Sequence, residues 1–162
     1  MSRAGRIAAG LIAIATGIAA PATAETRVHL GGGPGWVSDR PLLHGAFPGL
    51  TGEVAWGSAI ATVPLRFDYN VLPHGEGGQF DGTFGLRFCS PTPPVRVYVD
   101  IGGGASTARN ADLQGLCGTW GGGVVLGRGK PAVWVEVRRL DVVNWESDGA
   151  SGVVLRAGLE LR

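Results

Sequence analysis

The stretch Val95-Arg96-Val97-Tyr98-Val99-Asp100-Ile101 places a β-branched residue at every second position, with polar or charged residues between them. Successive side chains of a strand point to opposite faces, so one face of this stretch is apolar and the other is polar. A helix would spread the same residues around its whole circumference. The stretch therefore predicts a two-faced β-strand.

The same alternation recurs in seven other segments, which predicts eight strands in all. The predicted strands cover residues 26–36, 50–56, 60–71, 80–88, 95–101, 116–126, 133–138 and 153–162. Their connections alternate between short turns, at 57–59, 90–93 and 127–130, and long loops, near 38–49, 72–79, 105–113 and 141–152. This alternation is typical of a meander, and eight strands can close one without an exposed edge. We therefore predict an all-β, up-and-down, antiparallel eight-stranded β-barrel over residues 25–162.

Composition agrees with a barrel and excludes several other classes. The 162 residues include 29 glycines, 44% are hydrophobic and 17% are charged. So much glycine argues against a helical bundle, and the apolar fraction is too high for a disordered chain. The formal net charge is +1 without a basic block, so we expect no nucleic-acid partner.

Two local features bear on the shape of the strands. The glycine triplets at 31–33, 102–104 and 121–123 are interpreted as strand glycines that permit close packing and curvature in a narrow barrel. Pro64 cannot donate a ladder hydrogen bond, so it predicts either a bulge or a later start of the third strand.

Residues 1–24 have the pattern of a secretory signal peptide. Arg3 and Arg6 precede an uncharged apolar run over 7–20, and Ala22 and Ala24 supply small residues before a cleavage site at Glu25. The run is shorter than the ~20 residues that a membrane-spanning helix needs. We therefore expect a mature chain that starts at Glu25 and is exported.

The polar faces of the predicted strands collect nearly balanced charges. The basic residues are Arg27, Arg66, Arg87, Arg96, Arg138, Arg156 and Arg162, and the acidic residues are Glu53, Asp68, Asp81, Asp100, Glu136 and Glu160. Such balance suits charges that are buried together and must pair. The chain also has 13 arginines but one lysine, Lys130, whereas soluble surfaces use lysine freely. We therefore expect a charge network inside the barrel and an apolar surface facing lipid.

Aromatic residues of the apolar face lie near predicted strand ends. Trp36, Tyr69 and Phe80 lie beside the long loops, and Trp56 and Phe88 lie beside the short turns. This placement predicts the two aromatic girdles of a transmembrane barrel. Alternation alone leaves a second interpretation open, in which the apolar face points inward as in a soluble barrel.

With signal peptide, strand count, loop asymmetry and girdles together, residues 26–162 resemble the small eight-stranded outer-membrane β-barrel proteins of Gram-negative bacteria. The resemblance implies location in the outer membrane, contact with its lipid and insertion by the barrel-assembly machinery. The segment 152–162 resembles the closing strand of such a barrel. It ends in Arg162, where that family usually ends in an aromatic residue.

No motif of an active site or metal site occurs. The chain lacks a Gly-x-Ser-x-Gly elbow and a phosphate-binding loop, and His29, His44 and His74 have no metal-ligand spacing. Some outer-membrane barrels are lipid A deacylases that use a His-x-Ser pair, but no histidine here has serine two positions on. We therefore expect no cofactor and a non-enzymatic barrel with a plugged interior.

Two alternatives for the function stay open at this point. One is a soluble periplasmic, lipocalin-like barrel that binds a small apolar ligand, and the other is a barrel enzyme that modifies lipid A. The loops form no recognisable code, so their partner is not identified by sequence. Cys89 and Cys117 suggest a disulfide in an exported chain, but the predicted topology separates them by roughly 20 Å, so we expect free thiols.

Overall fold

The computed structural model describes residues 25–37, 45–72, 77–90, 94–108, 113–127, 131–144 and 150–161. They form eight strands: β1 Glu25–Val37, β2 Gly45–Gly57, β3 Ala61–Val71, β4 Gly78–Cys89, β5 Val95–Ala108, β6 Leu113–Leu126, β7 Ala132–Asn144 and β8 Ala150–Leu161. Each strand pairs antiparallel with the next, and β8 pairs with β1 to close the barrel. The predicted fold class is confirmed. The predicted signal peptide lies outside the described residues.

The register of the strands sets the tilt and width of the barrel. A path through directly paired residues leaves β1 at Glu25 and returns to it at Gly35, ten residues further on. The residues on this path are Glu25, Gly57, Thr62, Arg87, Asp100, Gly121, Arg138, Val154 and Gly35. With eight strands, this displacement requires a strand tilt of about 40°. Such a barrel is just wide enough for its interior side chains to fill.

Several strands extend further toward the long-loop end than the alternation predicts. β2 begins at Gly45 and β8 begins at Ala150, while β5 continues to Ala108 and β7 continues to Asn144. The reason is an inversion of polarity near that end. The apolar side chains of Phe47, Val142 and Ala150 are buried in the barrel there, so the apolar-out pattern stops before the strands do.

Pro64 neither bulges nor delays its strand, so that expectation is wrong. β3 begins at Ala61, and Pro64 pairs with Ala55 of β2 in unbroken register. On the other side, Thr62 pairs with Arg87 and Leu65 with Phe84, which is the same register on both sides of the proline. The missing N–H therefore interrupts only the local pairing with β4.

No helix in the described part of the chain is long and apolar enough to cross a membrane.

Candidate functional site

The alternation of the strands separates charge from apolar surface. Each of the twelve charged residues named above between Arg27 and Glu160 is at most 7% exposed and lies in the lumen. Six are arginines and six are carboxylates, so their formal charges balance. Arg162 lies outside the described residues. Because the lumen is lined by every second residue of each strand, the sequence pattern alone brings these side chains together.

Arg87 of β4 links two carboxylates at the middle of the lumen. Its Nη2 donates to Glu53 Oε2 at 2.8 Å and to Asp100 Oδ2 at 2.9 Å. Arg138 donates from Nη2 to the same Asp100 oxygen at 2.8 Å. The Tyr98 ring lies 4.3 Å from the Arg87 guanidinium carbon, which adds a cation–π contact. Charge-assisted bonds of this kind are about twice as strong as neutral ones.

His29 joins two carboxylates nearer the short-turn end. Its Nδ1 lies 3.0 Å from Glu53 and its Nε2 lies 2.8 Å from Glu160. Arg96 forms a close ion pair with the other oxygen of Glu160. The imidazole also stacks on Trp134, with 5.6 Å between ring centroids. Sequence reasoning placed His29 on the polar face but missed its part in the network, which its parity with Arg27 indicates.

Arg66 extends the network toward the long-loop end. Its Nε donates to Asp68 at 2.6 Å, and its guanidinium forms a close ion pair with Glu136. Glu136 also accepts a hydrogen bond of 2.8 Å from the Tyr98 hydroxyl. Thr51 donates a short hydrogen bond to Asp68. Each carboxylate in this group therefore accepts from more than one partner, as burial of a charge requires.

Arg156 occupies a break in the β1–β8 ladder. The pairing of these strands is interrupted at Gly33 and Pro34, since proline has no N–H to donate. Arg156 Nη1 donates to the carbonyl oxygens of Gly33 at 2.7 Å and Pro34 at 2.8 Å. Its Nη2 donates to Asn70, and the residue is fully buried. The guanidinium thus donates to backbone carbonyls at the point where the β1–β8 ladder is interrupted.

Asp81 and Arg27 stand apart from the network. Asp81 accepts hydrogen bonds from the side-chain amides of Asn70 at 3.1 Å and Gln79 at 2.8 Å, and within the described residues it forms no ion pair. Arg27 pairs with Glu25 at 3.2 Å at the short-turn end. The other ten charged residues form one network of ion pairs together with His29. These ten are Glu53, Arg66, Asp68, Arg87, Arg96, Asp100, Glu136, Arg138, Arg156 and Glu160.

The outer surface is apolar over its whole middle zone. Twenty-eight large apolar side chains in the described part of the chain are 36–67% exposed. Five of them are the residues predicted as girdles: Trp36, Trp56, Tyr69, Phe80 and Phe88, with exposures of 44–53%. Phe80 and Phe88 are eight residues apart on β4, which at ~3.3 Å per residue and ~40° tilt is about 20 Å along the barrel axis. The two groups of aromatic side chains therefore bound an apolar zone close to the ~25 Å height of known transmembrane barrels.

These features define the class of the protein as a closed eight-stranded antiparallel barrel with a charged interior and an apolar exterior. Among solved structures, the crystal structure of Neisserial surface protein A is similar, with a TM-score of 0.71 and 12% sequence identity over 85% of this chain and 97% of that one. The similarity concerns the fold. No family model and no curated protein sequence matches the chain.

Proposed function

We propose that the mature chain is a non-enzymatic outer-membrane β-barrel, with a charged network that plugs its lumen and loops available for contacts at the envelope surface. The observation that carries this proposal is the inverted polarity of the barrel, in which ion pairs are inside and the apolar side chains are outside. Soluble monomers rarely expose a contiguous apolar patch larger than a few hundred Å². In a bilayer the same apolar side chains contact lipid hydrocarbon instead of water, which is favourable.

Closure of the barrel supports the same proposal. Hydrocarbon offers no hydrogen-bond partners, so a spanning sheet must pair every strand edge. Here β1 and β8 pair with each other, and no described strand has a free edge. The similar solved structure is that of a surface protein of Neisseria, which supports a location of this chain at the bacterial envelope.

The filled lumen supports a structural plug and argues against an open pore. Arginine side chains cross the interior from opposite walls, and Arg66 of β3 reaches Glu136 of β7 on the far side. A void beside Arg66, Thr83 and Asp100 has a volume of about 10 Å³, which is room for about one water molecule. We propose that these ion pairs close the barrel to solutes.

The two alternatives receive less support. A lipocalin-like barrel needs an apolar interior for its ligand, but charged side chains fill this one. A hydrolase that attacks lipid from the outer face needs its histidine there, whereas His29 is 3% exposed and held between two glutamates inside. His44 and His74 lie outside the described residues.

Fractionation and gel mobility test the proposal. We expect the full-length chain, expressed in a Gram-negative host, to sediment with the outer membrane and to stay there after carbonate extraction. An unboiled sample is expected to migrate differently from a boiled one, because a closed barrel resists detergent until it is heated. A soluble periplasmic marker and an integral outer-membrane marker are the controls. Recovery in the periplasmic fraction without detergent would favour the lipocalin-like alternative and contradict the proposal.

A further inference from the structure

One arginine breaks the separation of charge and apolar surface. Of the seven arginines in the part of the chain that the structure describes, six are buried in the lumen, and Arg139 alone faces outward. Its side chain is 45% exposed and that of its partner Asp141 is 38% exposed. Both residues lie on β7, where the sequence suggests the start of a long loop. The structure instead places them on the outer wall of the barrel.

The guanidinium of Arg139 is held from one side. Nε lies 2.9 and 3.1 Å from the two carboxylate oxygens of Asp141, and Nη2 lies 3.2 Å from Ser151 Oγ. Ser151 in turn donates to Asp141 at 2.6 Å. A guanidinium has five N–H donors in a planar fork, and these contacts involve only Nε and Nη2. Among the described residues, the Nη1 edge therefore has no acceptor, and its donors are available to a further ligand.

Arg139 lies on the wall between the middle of the barrel and the loop-end girdle, and its guanidinium reaches toward Asp141 and Ser151 nearer the loops. Arg139 pairs with Trp120 of β6 on one side and Val153 of β8 on the other, and Val153 pairs with the girdle residue Trp36. Trp120 is 57% exposed. A charge on the lipid-facing wall costs about 2–4 kcal/mol at the midplane but only about 0–1 near the interface. The guanidinium, bonded to Asp141 and Ser151, therefore approaches the interface, where an outward arginine is tolerated and where lipid phosphates lie.

A shallow depression adjoins the Arg139–Asp141 pair. Gly118 of β6 pairs with Asp141, and Gly103 of β5 pairs with Gly118. A Cβ added to Gly118 would meet nothing within 4 Å, and one added to Gly103 would meet only a backbone oxygen at 3.3 Å. The wall beside the guanidinium thus lacks side chains, and Trp120 borders it toward the middle of the barrel. The depression leaves space for a headgroup next to the cation.

We propose that Arg139, beside the Gly103–Gly118 depression and Trp120, binds the phosphate of an anionic lipid headgroup in the leaflet at the loop end. Arginine suits this ligand because its planar fork matches phosphate oxygens and pairs with them through two parallel bonds. Asp141 orients the guanidinium. Its negative charge repels free anions in solution, which gain nothing from insertion into the membrane. The inference rests on the proposed membrane location.

Native mass spectrometry of the full chain tests the site. The protein is purified in an uncharged detergent and offered phosphatidylglycerol or phosphatidylcholine at equal concentration. We expect selective retention of phosphatidylglycerol, weakened about tenfold by Arg139→Gln and partly restored by Arg139→Lys. Val71→Glu, at the loop end of β3 on the opposite wall, is the matched control, because it changes the net charge by the same amount outside the site, and it should retain phosphatidylglycerol as the wild type does. Inorganic phosphate at millimolar concentration should not displace the lipid.

Several results would overturn the lipid site. One is equal retention of the two lipids by the wild type, and another is equal retention by the wild type and Arg139→Gln. A loss in Val71→Glu as large as in Arg139→Gln would reduce the effect to net charge. Displacement by inorganic phosphate would assign the site to free phosphate. Heat-dependent gel mobility and insertion into vesicles are measured on the same samples. If the wild type inserts but does not select phosphatidylglycerol, the lipid site alone fails. If it does not insert, the proposed function fails.

Discussion

Arg87 and Glu53 pair inside the lumen, where Nη2 of the arginine lies 2.8 Å from Oε2 of the glutamate. A second, shorter hydrogen bond joins Nη1 to Oε1. The two residues belong to β4 and β2, which are not neighbours in the sheet because β3 lies between them. The pair therefore braces the barrel through its interior, where backbone hydrogen bonds cannot reach.

Removal of either member of this pair is expected to destabilise the barrel by about 3–5 kcal/mol, because each residue bonds two buried partners. Loss of Arg87 takes a partner from Glu53 and Asp100, and loss of Glu53 takes one from Arg87 and His29. The variants are Arg87→Leu and Glu53→Leu. The double variant should lose clearly less free energy of unfolding than the sum of the two single losses, since neither charge of this pair remains unpaired. Urea unfolding in lipid vesicles, followed by tryptophan fluorescence, measures all three. Strictly additive losses would show that the two residues do not interact.

Asp100 and Arg96 should differ in their effect on stability. Asp100→Leu removes an acceptor shared by Arg87 and Arg138, so two cations lose a partner, and we expect a loss of about 3–5 kcal/mol. Arg96→Leu removes one partner of Glu160, which keeps its contact with His29, so we expect about 1.5–3 kcal/mol. The same unfolding assay ranks the two variants. A larger loss for Arg96→Leu would contradict the described network.

Two positions on the outer face of β5 test the depth of the apolar zone. Ile101 is near the middle of the strand, and Ile101→Arg should cost about 2–4 kcal/mol in vesicles. Val97 lies two residues closer to the short turns than Val99, which pairs with the girdle residue Phe88, so Val97→Arg should cost only about 0–1 kcal/mol. The predicted strand over 95–101 places Val97 near its middle, whereas the observed β5 runs to Ala108 and so places Val97 nearer the short turns. Equal costs at the two positions would argue against a lipid-facing wall.

Two glycines of β6 test whether the lumen is closely packed. A Cβ at Gly123 would lie 2.6 Å from the Tyr98 hydroxyl and would also crowd the backbone oxygen of Val135, so Gly123→Ala should cost about 1–3 kcal/mol. Gly118 faces outward with open space, so Gly118→Ala should change the stability little. The pair is compared by urea unfolding. A neutral Gly123→Ala would mean that the wall around Tyr98 yields easily.

The two cysteines are expected to remain free thiols. Cys89 pairs with Tyr98 and Cys117 pairs with Gly104, six residues further along β5, which separates them by about 20 Å. A disulfide tolerates a Cα separation of only about 7 Å. Both are free thiols in the structure. Alkylation of the denatured, unreduced protein should modify both, and a Cys89–Cys117 peptide in mass mapping would refute the register between β4 and β6.

Alternation along each strand is sufficient to predict the barrel and the contents of its lumen. A side chain's face depends only on its position within the strand, so Arg66, Asp100 and Glu136 are assigned to one side without knowledge of their neighbours. The eight-strand closure follows from strand count and loop lengths for the same local reason. The five aromatic residues near strand ends are likewise predicted as girdles from their positions in the strands.

Which side chains pair with each other inside the lumen depends on tertiary structure. The pairing of arginines with carboxylates follows from the register of the barrel. The ten-residue displacement around the barrel decides which positions of β3 and β7 face each other. His29 between two glutamates and Arg156 against the carbonyls of β1 are contacts between distant strands, for which the alternation carries no information. Arg139 is the clearest case: in sequence it is one more charge before a loop, and only the extension of β7 past the polarity inversion places it on the outer wall.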